Sequence, residues 1–169
     1  MKPLFKKVPP IELLSSAVGI GGGIGSVAFL TYVLHCPLLI ASFGASAVLL
    51  YAATSSPLAQ PRNLIGGHAV AALVGATCYL TMGETWYAIT VAVVAAILLM
   101  MVTDTLHPPG GATAIVTVLQ HGNYLFVLFP VLAGALILLL FALLANRISP
   151  YRSYPHHADK VKKLPAQYR

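Results

Sequence analysis

WYAITVAVVAAILLMMVTDTLHPPGGATAIVTVL, residues 86–119, holds the pattern on which the reading of the chain turns. Trp86–Leu106 is apolar and long enough for a membrane-spanning helix, which takes about 20 residues. It runs into Asp104, His107, Pro108, Pro109, Gly110 and Gly111. Proline lacks an N–H and fixes φ, so Pro108 and Pro109 end one helix and open the next. Gly110 and Gly111 let a backbone or a ligand approach closely. The apolar piece that follows, Pro108–Leu119, is too short to span as a straight helix. In lipid an unpaired backbone group costs several kcal/mol, so broken backbone must be buried in protein or line an aqueous cavity.

Outward from this stretch, charge is scarce. Between Glu12 and Arg147 stand only Arg62, Glu84 and Asp104, in a chain of 169 residues that is 58% apolar and 8% charged. A soluble domain cannot cover its surface this way. The net charge of +6 collects at the ends: Lys2, Lys6 and Lys7 before the apolar block, and Arg147, Arg152, Lys160, Lys162, Lys163 and Arg169 after it. This pattern fits cytoplasmic flanks touching anionic head groups, not a nucleic-acid surface. The organisation expected is a basic cytoplasmic N-terminus (1–10), a transmembrane domain (11–146) and a basic cytoplasmic tail (147–169). The first apolar run is too long for a cleavable signal and reads as a retained span. The simplest setting is a bacterial inner membrane.

Four stretches have spanning length: Leu13–Leu34, Leu64–Met82, Trp86–Leu106 and Leu125–Ala145. Two shorter ones, Pro37–Ala53 and Pro108–Leu119, are broken near their starts by Pro or Gly. Gly44-Ala45-Ser46-Ala47-Val48 aligns with Gly111-Ala112-Thr113-Ala114-Ile115, and the same offset carries the first long stretch onto the third and the second onto the fourth. The expected fold is therefore an all-α membrane protein of four long transmembrane helices and two short, centrally buried Gly/Pro-broken ones, arranged as two repeats. If the short segments cross, the repeats are inverted; if they re-enter, the repeats are parallel. Gly19, Gly21, Gly22, Gly23 and Gly25 smooth one face of the first span, for contact within the protomer or between copies in a homo-oligomer.

The ionisable residues inside the apolar block are costly there and point to function. Asp104 and His107, three apart, would share a helix face, with Asp104 orienting His107 or accepting backbone N–H groups. A helix starting near Gly111 presents free N–H groups and a positive dipole end, an anion-binding device, and Thr113 adds a hydroxyl. Ser42, Gly44 and Ser46 are the counterparts in the first half. Arg62 would hold an anion or a lipid phosphate, and His68 would face a pathway or bond between helices. The candidate pathway thus comprises Ser42, Gly44, Ser46, Arg62, His68, Asp104, His107, Pro108, Pro109, Gly110, Gly111 and Thr113. The helix starts Gly44–Ser46 and Gly110–Thr113 would face each other, flanked by His107 and Asp104 on one side and Arg62 or His68 on the other. No GxSxG, HExxH, Walker sequence or paired carboxylate supports catalysis. Neither a metal nor a cofactor is expected, and Cys36 and Cys78 read as small buried hydrophobes.

Leu106-His107-Pro108-Pro109-Gly110-Gly111-Ala112-Thr113-Ala114 resembles the signature of the HPP family of integral membrane proteins, and FGASAVLLYAATSSPLAQPRNLIGGH (43–68) resembles that family's other shared stretch. The resemblance covers Glu12 to Leu144. It implies a transporter with four transmembrane helices. Some photosynthetic members are linked to nitrite transport, and some carry C-terminal CBS domains, which are not expected here. The function expected is a channel or secondary transporter for a small inorganic anion, nitrite first. A non-transporting scaffold or sensor subunit and a neutral-solute pore are the alternatives.

Overall fold

The computed structural model describes residues 8–155, and the described residues fold into helices with no strand. The basic residues expected as flanks at Lys2, Lys6, Lys7, Lys160, Lys162, Lys163 and Arg169 lie outside them. The helices are α1 (Pro10–Tyr32), α2 (Ser42–Tyr51), α3 (Pro61–Met82), α4 (Trp86–Val102), α5 (Pro108–Leu119) and α6 (Tyr124–Ala145). Proline opens α1, α3 and α5, where its missing N–H costs nothing. Thr85 caps α4, its hydroxyl accepting from the Ala88 N–H. Asn123 caps α6 by accepting from Leu125. Helix α6 passes through a π-helical stretch, Val127–Leu132, that contains Pro130.

Three helices, α1, α3 and α6, have the length and apolar composition to cross a bilayer. The expected fourth, Trp86–Leu106, is shorter. Helix α4 stops at Val102 after 17 residues, because Asp104 turns the chain with φ +53°. Asp104 and His107 therefore do not share a helix face. They lie on the non-helical link between α4 and α5. The short segments also form helices: α5 has the expected bounds, whereas in Pro37–Ala53 only Ser42–Tyr51 is helical. The extended stretch before α2 has its backbone served locally. The Thr31 hydroxyl accepts from the N–H groups of both Leu38 and Leu39, at 3.0 Å each.

Small residues let the helices approach. A Cβ on Gly67 would lie 2.5 Å from His107 Cβ, and one on Gly75 would lie 2.8 Å from Thr117 Cβ, so α3 and α5 run side by side in the same direction. Ala88, Ala92, Ala96 and Met100 form the buried stripe of α4. Bulkier side chains fill the other half of the core: Phe43, Leu50 and Tyr51 of α2 against Leu138 and Ala142 of α6. The α1 glycines divide. Gly19 and Gly23 receive the Tyr51 ring and Gly22 receives Phe141, all within the protomer, while Gly21 and Gly25 face open space. The outward residues are large and apolar, among them Leu13, Phe29, Trp86, Leu98, Val102, Leu125 and Leu140, as a lipid-facing surface requires. Helices α2 and α5 are not wholly central: Val48 and Leu119 stand exposed on their outer sides.

Arg152, which the charge pattern groups with the basic flank, is buried. Its side chain is 5% exposed and pairs with Glu12 at 2.7 Å. All five of its guanidinium N–H groups are used: on the Glu12 carboxylate and carbonyl, the Ser16 hydroxyl, the Tyr51 carbonyl and the Asn146 amide oxygen. One cation thus ties the start of α1, the end of α2 and the end of α6. Removing one partner of a buried pair strands the other charge and costs about 3–5 kcal/mol. Arg152→Leu is expected to lower stability by about that much, read as thermal unfolding in detergent. Glu12→Gln/Arg152→Leu should recover part of the loss; a single Arg152→Leu variant as stable as the parent would show that the clamp contributes nothing.

Candidate functional site

Three helices and the links that precede α3 and α5 contribute to a buried polar cluster in the middle of this apolar bundle. Helix α2 supplies Ser42 and Ser46, one turn apart on its inner face. Helix α3 supplies His68, and α5 supplies Thr113 together with His107, which immediately precedes its first turn. Met100 of α4 packs against Gly67 and Gly110. Ser46, His68, His107 and Thr113 are fully buried, and Ser42 is nearly so.

The polar atoms form one continuous chain. His107 Nδ1 lies 2.9 Å from the Leu58 carbonyl oxygen. His107 Nε2 is 3.0 Å from Ser46 Oγ, and Ser46 Oγ is 2.8 Å from His68 Nε2. His68 Nδ1 is 2.7 Å from Thr113 Oγ1, and Thr113 Oγ1 is 2.8 Å from Ser42 Oγ. A carbonyl can only accept, so His107 carries its proton on Nδ1 and donates it to Leu58. Phe43 meets the His68 ring edge-on at 5.4 Å, and the two imidazoles lie 5.0 Å apart. No side chain of the cluster is left unpaired; among the described residues only Ser153 Oγ is buried without a partner.

Helices α2 and α5 run antiparallel, since Ser42 meets Thr113 while Ser46 meets His107. Their starts overlap side by side by about a turn. Of the residues expected in the site, Ser42, Ser46, His68, His107 and Thr113 are thus brought together. Pro108 and Pro109 open α5 beside them, and Gly110 permits its contact with α3: a Cβ there would lie 2.9 Å from Met100 Sδ and 3.0 Å from the Gly67 carbonyl. At Gly44 and Gly111 a Cβ would meet nothing within 4 Å, so neither is a tight approach. Arg62 and Asp104 stand apart from the cluster. They pair with each other at 2.8 Å on the surface, with side chains 65% and 85% exposed, and Arg62 also donates to the Thr103 carbonyl. Asp104 accordingly does not orient His107. The Leu58 carbonyl does, and no side-chain pattern signals a backbone acceptor from a loop 49 residues away. Asn63, also unmarked by the sequence, steadies the same link by donating to the Leu106 carbonyl.

The remaining histidines are elsewhere. His121 stacks on Tyr79 and contacts Glu84 at 2.7 Å in an exposed loop. His35 is an exposed turn residue with φ +54°. His156 and His157 lie outside the described residues. Cys36 and Cys78 are unpaired, Cys78 buried and Cys36 partly so. Among the described residues no three His, Cys, Asp or Glu side chains converge as metal ligands.

Comparison with known proteins finds membrane proteins. A family model described as HPP, transmembrane region, matches residues 5–155. A transmembrane protein of Dictyostelium discoideum is 45% identical over 126 residues, which are 70% of this chain and 44% of that protein. A second transmembrane protein of the same organism is 43% identical over 125 residues, 69% of this chain and 40% of that protein. The chain thus spans less than half the length of these curated relatives. No solved structure matches.

The glycines give a paired test of the packing. Gly110→Ala must displace Met100 or the α3 backbone and is expected to cost about 1–3 kcal/mol, the usual range for overpacking. Gly111→Ala, next to it, meets open space and should be neutral or gain up to about 1 kcal/mol of helix propensity. Thermal unfolding of both variants in one detergent checks this, and equal effects would contradict the close approach at Gly110.

Proposed function

Since the chain belongs to the HPP family of membrane proteins, we propose that it moves a small inorganic anion across the membrane through the junction of α2, α3 and α5, with nitrite the first candidate. One observation carries this reading. Ser46 and Thr113, aligned by the internal offset of the sequence, hold the two ring nitrogens of His68 from opposite sides. Convergence of corresponding residues from the two halves on one side chain supports the reading of a transporter built from repeats, in which the substrate sits at the repeat interface among broken helices.

The course of the chain supports inverted repeats. α1 ends beside an extended stretch that leads back through α2 to the Arg152 clamp, where α3 begins nearby: Tyr154 donates to the Ala59 carbonyl just before α3. In the second half, α4 ends by Arg62, at the beginning of α3; α5 then runs with α3, and α6 returns to place the Ala145 carbonyl on the Ser15 hydroxyl of α1. We read this as three crossings per half, six in all, with α4 crossing as well and both ends of the bundle's chain on the cytoplasmic side. The overlapping starts of α2 and α5 supply backbone dipoles for an anion, and Ser42, Ser46 and Thr113 supply hydroxyl donors that replace water. The reading assigns the chain no catalysis and, as an inner-membrane protein, a bacterial setting.

A homo-oligomer is part of the proposal. The outer sides of α2 and α5 and the open α1 groove at Gly21, Gly25, Ser26 and Phe29 would be covered by a second copy. The neutral-solute reading is favoured by one fact, that the imidazoles bond only to hydroxyls and a carbonyl and to no cation.

Purified protein in liposomes separates these readings. Nitrite influx well above that of protein-free vesicles is expected, with nitrate and formate slower. His68→Ala should reduce it about tenfold or more while the protein remains folded. Passage of water alone would favour the neutral pore, and absence of any flux would leave the scaffold reading.

A further inference from the structure

His107 is gripped by two partners on different elements. Its Nε2 meets the Ser46 hydroxyl of α2, and its Nδ1 donates to the Leu58 carbonyl. Leu58 lies in a single 3₁₀ turn, Pro57–Ala59, and so short a piece of 3₁₀ helix does not hold its own place in a bundle. The turn's own hydrogen bonds are local. Ser56 Oγ accepts from the Leu58 N–H, and the Gln60 side-chain amide donates to the Thr54 and Ser56 carbonyls. Bonds of that kind shape the turn without fixing it to the helices. Tyr154 does fix it: its hydroxyl donates to the carbonyl of the buried Ala59 at 2.9 Å. The Leu58 and Ala59 carbonyls belong to consecutive planar peptides, with only two soft dihedrals between them, so a hold on one limits the other.

Tyr154 ends a segment that is itself fastened at several points. Beyond the last turn of α6, Asn146, Ser149 and Ser153 remain buried. Asn146 donates to the Leu50 carbonyl, and Arg152 donates to the Tyr51 carbonyl. These are the last carbonyls of α2, which no intrahelical N–H serves, and the helix dipole favours a cation beside them. Ser149 bonds to the Glu12 carboxylate that also pairs with Arg152, so α1 holds the segment from the other side. The chain therefore runs from the end of α6, across the end of α2, to the turn that precedes α3.

One segment thus restrains both elements that grip His107. Asn146 and Arg152 hold α2, which carries Ser46, and Tyr154 holds the turn, which carries Leu58. A neutral imidazole keeps its proton on the nitrogen whose partner requires it, and here a carbonyl requires it on Nδ1. Withdrawal of that carbonyl would let the proton pass to Nε2, and the Ser46 hydroxyl would turn from donor to acceptor. We propose that Asn146–Tyr154 is a positioning strap for the transport site, which fixes the ring and the tautomer of His107 from outside the cluster and whose release changes the donors that the site offers an anion. Arg152 and Tyr154 bond to no side chain of the cluster and act through Ser46 and Leu58. This deepens the transport reading above and rests on it.

Tyr154→Phe keeps the ring and removes one hydrogen bond. In ¹⁵N NMR of histidine-labelled full-length protein in detergent near neutral pH, the parent should show His107 protonated on Nδ1, and Tyr154→Phe should move it towards the Nε2-protonated form. In liposomes the same variant should take up nitrite about fivefold more slowly, the factor that one hydrogen bond is worth. Thr85→Ala, which removes the cap of α4 far along the chain from the strap, is the control: it should lose stability while its His107 signals and its uptake match the parent's. A Tyr154→Phe protein with the parent's His107 signals would overturn the strap, and so would a shift of equal size in Thr85→Ala. Nε2 protonation of His107 in the parent would overturn it without recourse to any variant. A His107 shift in Tyr154→Phe alongside a parent protein that carries no nitrite would uphold the strap as a positioning device and sink the transport reading.

Discussion

Inside a bilayer no water completes an unfinished hydrogen bond, and that constraint shapes this chain more than any attractive force does. Two of its helices are short and begin away from the ends of the bundle, which leaves backbone and side-chain polar groups at depth. The chain answers each locally. Thr31 serves two amides of the extended stretch before α2, Asn63 serves the Leu106 carbonyl, and two serines, two histidines and a threonine satisfy one another in series. A fully paired polar network of this kind specifies one arrangement, because any slip strands a group at a cost of about 1–3 kcal/mol.

Packing serves the same end. The network spans α2, α3 and α5, and its bonds of 2.7–3.0 Å demand that these helices keep their spacing. Gly67, Gly75 and Gly110 bring α3 and α5 to near backbone contact, and the alanine stripe of α4 closes the back. On the other side Phe43 enters the space left by Gly134 and holds α2 against α6. Arg152 then locks the far end of α2 to both α1 and α6. The polar centre is therefore held in place by contacts that are themselves small, apolar or remote.

In the proposed mechanism the same centre serves a second purpose. Its neutral hydroxyls and imidazoles satisfy one another when empty and are the groups a transported ion would meet. Nothing permanently charged touches it, so charge enters only with the transported species. The surface pair of Arg62 and Asp104 belongs to the connection between α3 and the α4–α5 link, where it is exposed and screened and contributes little to stability.

Much of this was legible in the residues alone. The near absence of charge from Glu12 to Arg147 determined a membrane protein, the double proline at 108–109 determined where α5 starts, and the Gly-Ala-Ser/Gly-Ala-Thr match singled out Ser46 and Thr113. Those are local properties, set by composition and by what each residue permits its own backbone. The helical reading of Asp104 and His107 failed because hydropathy does not register a left-handed residue, and Asp104 adopts one. The burial of Arg152, the division of the α1 glycines and the Leu58 carbonyl that orients His107 depend on which segments meet, across 140 residues for Arg152 and across 49 for His107. Only the tertiary structure decides such partners, because a backbone oxygen is the same in every residue and a charge shows its use only when its neighbours are in place.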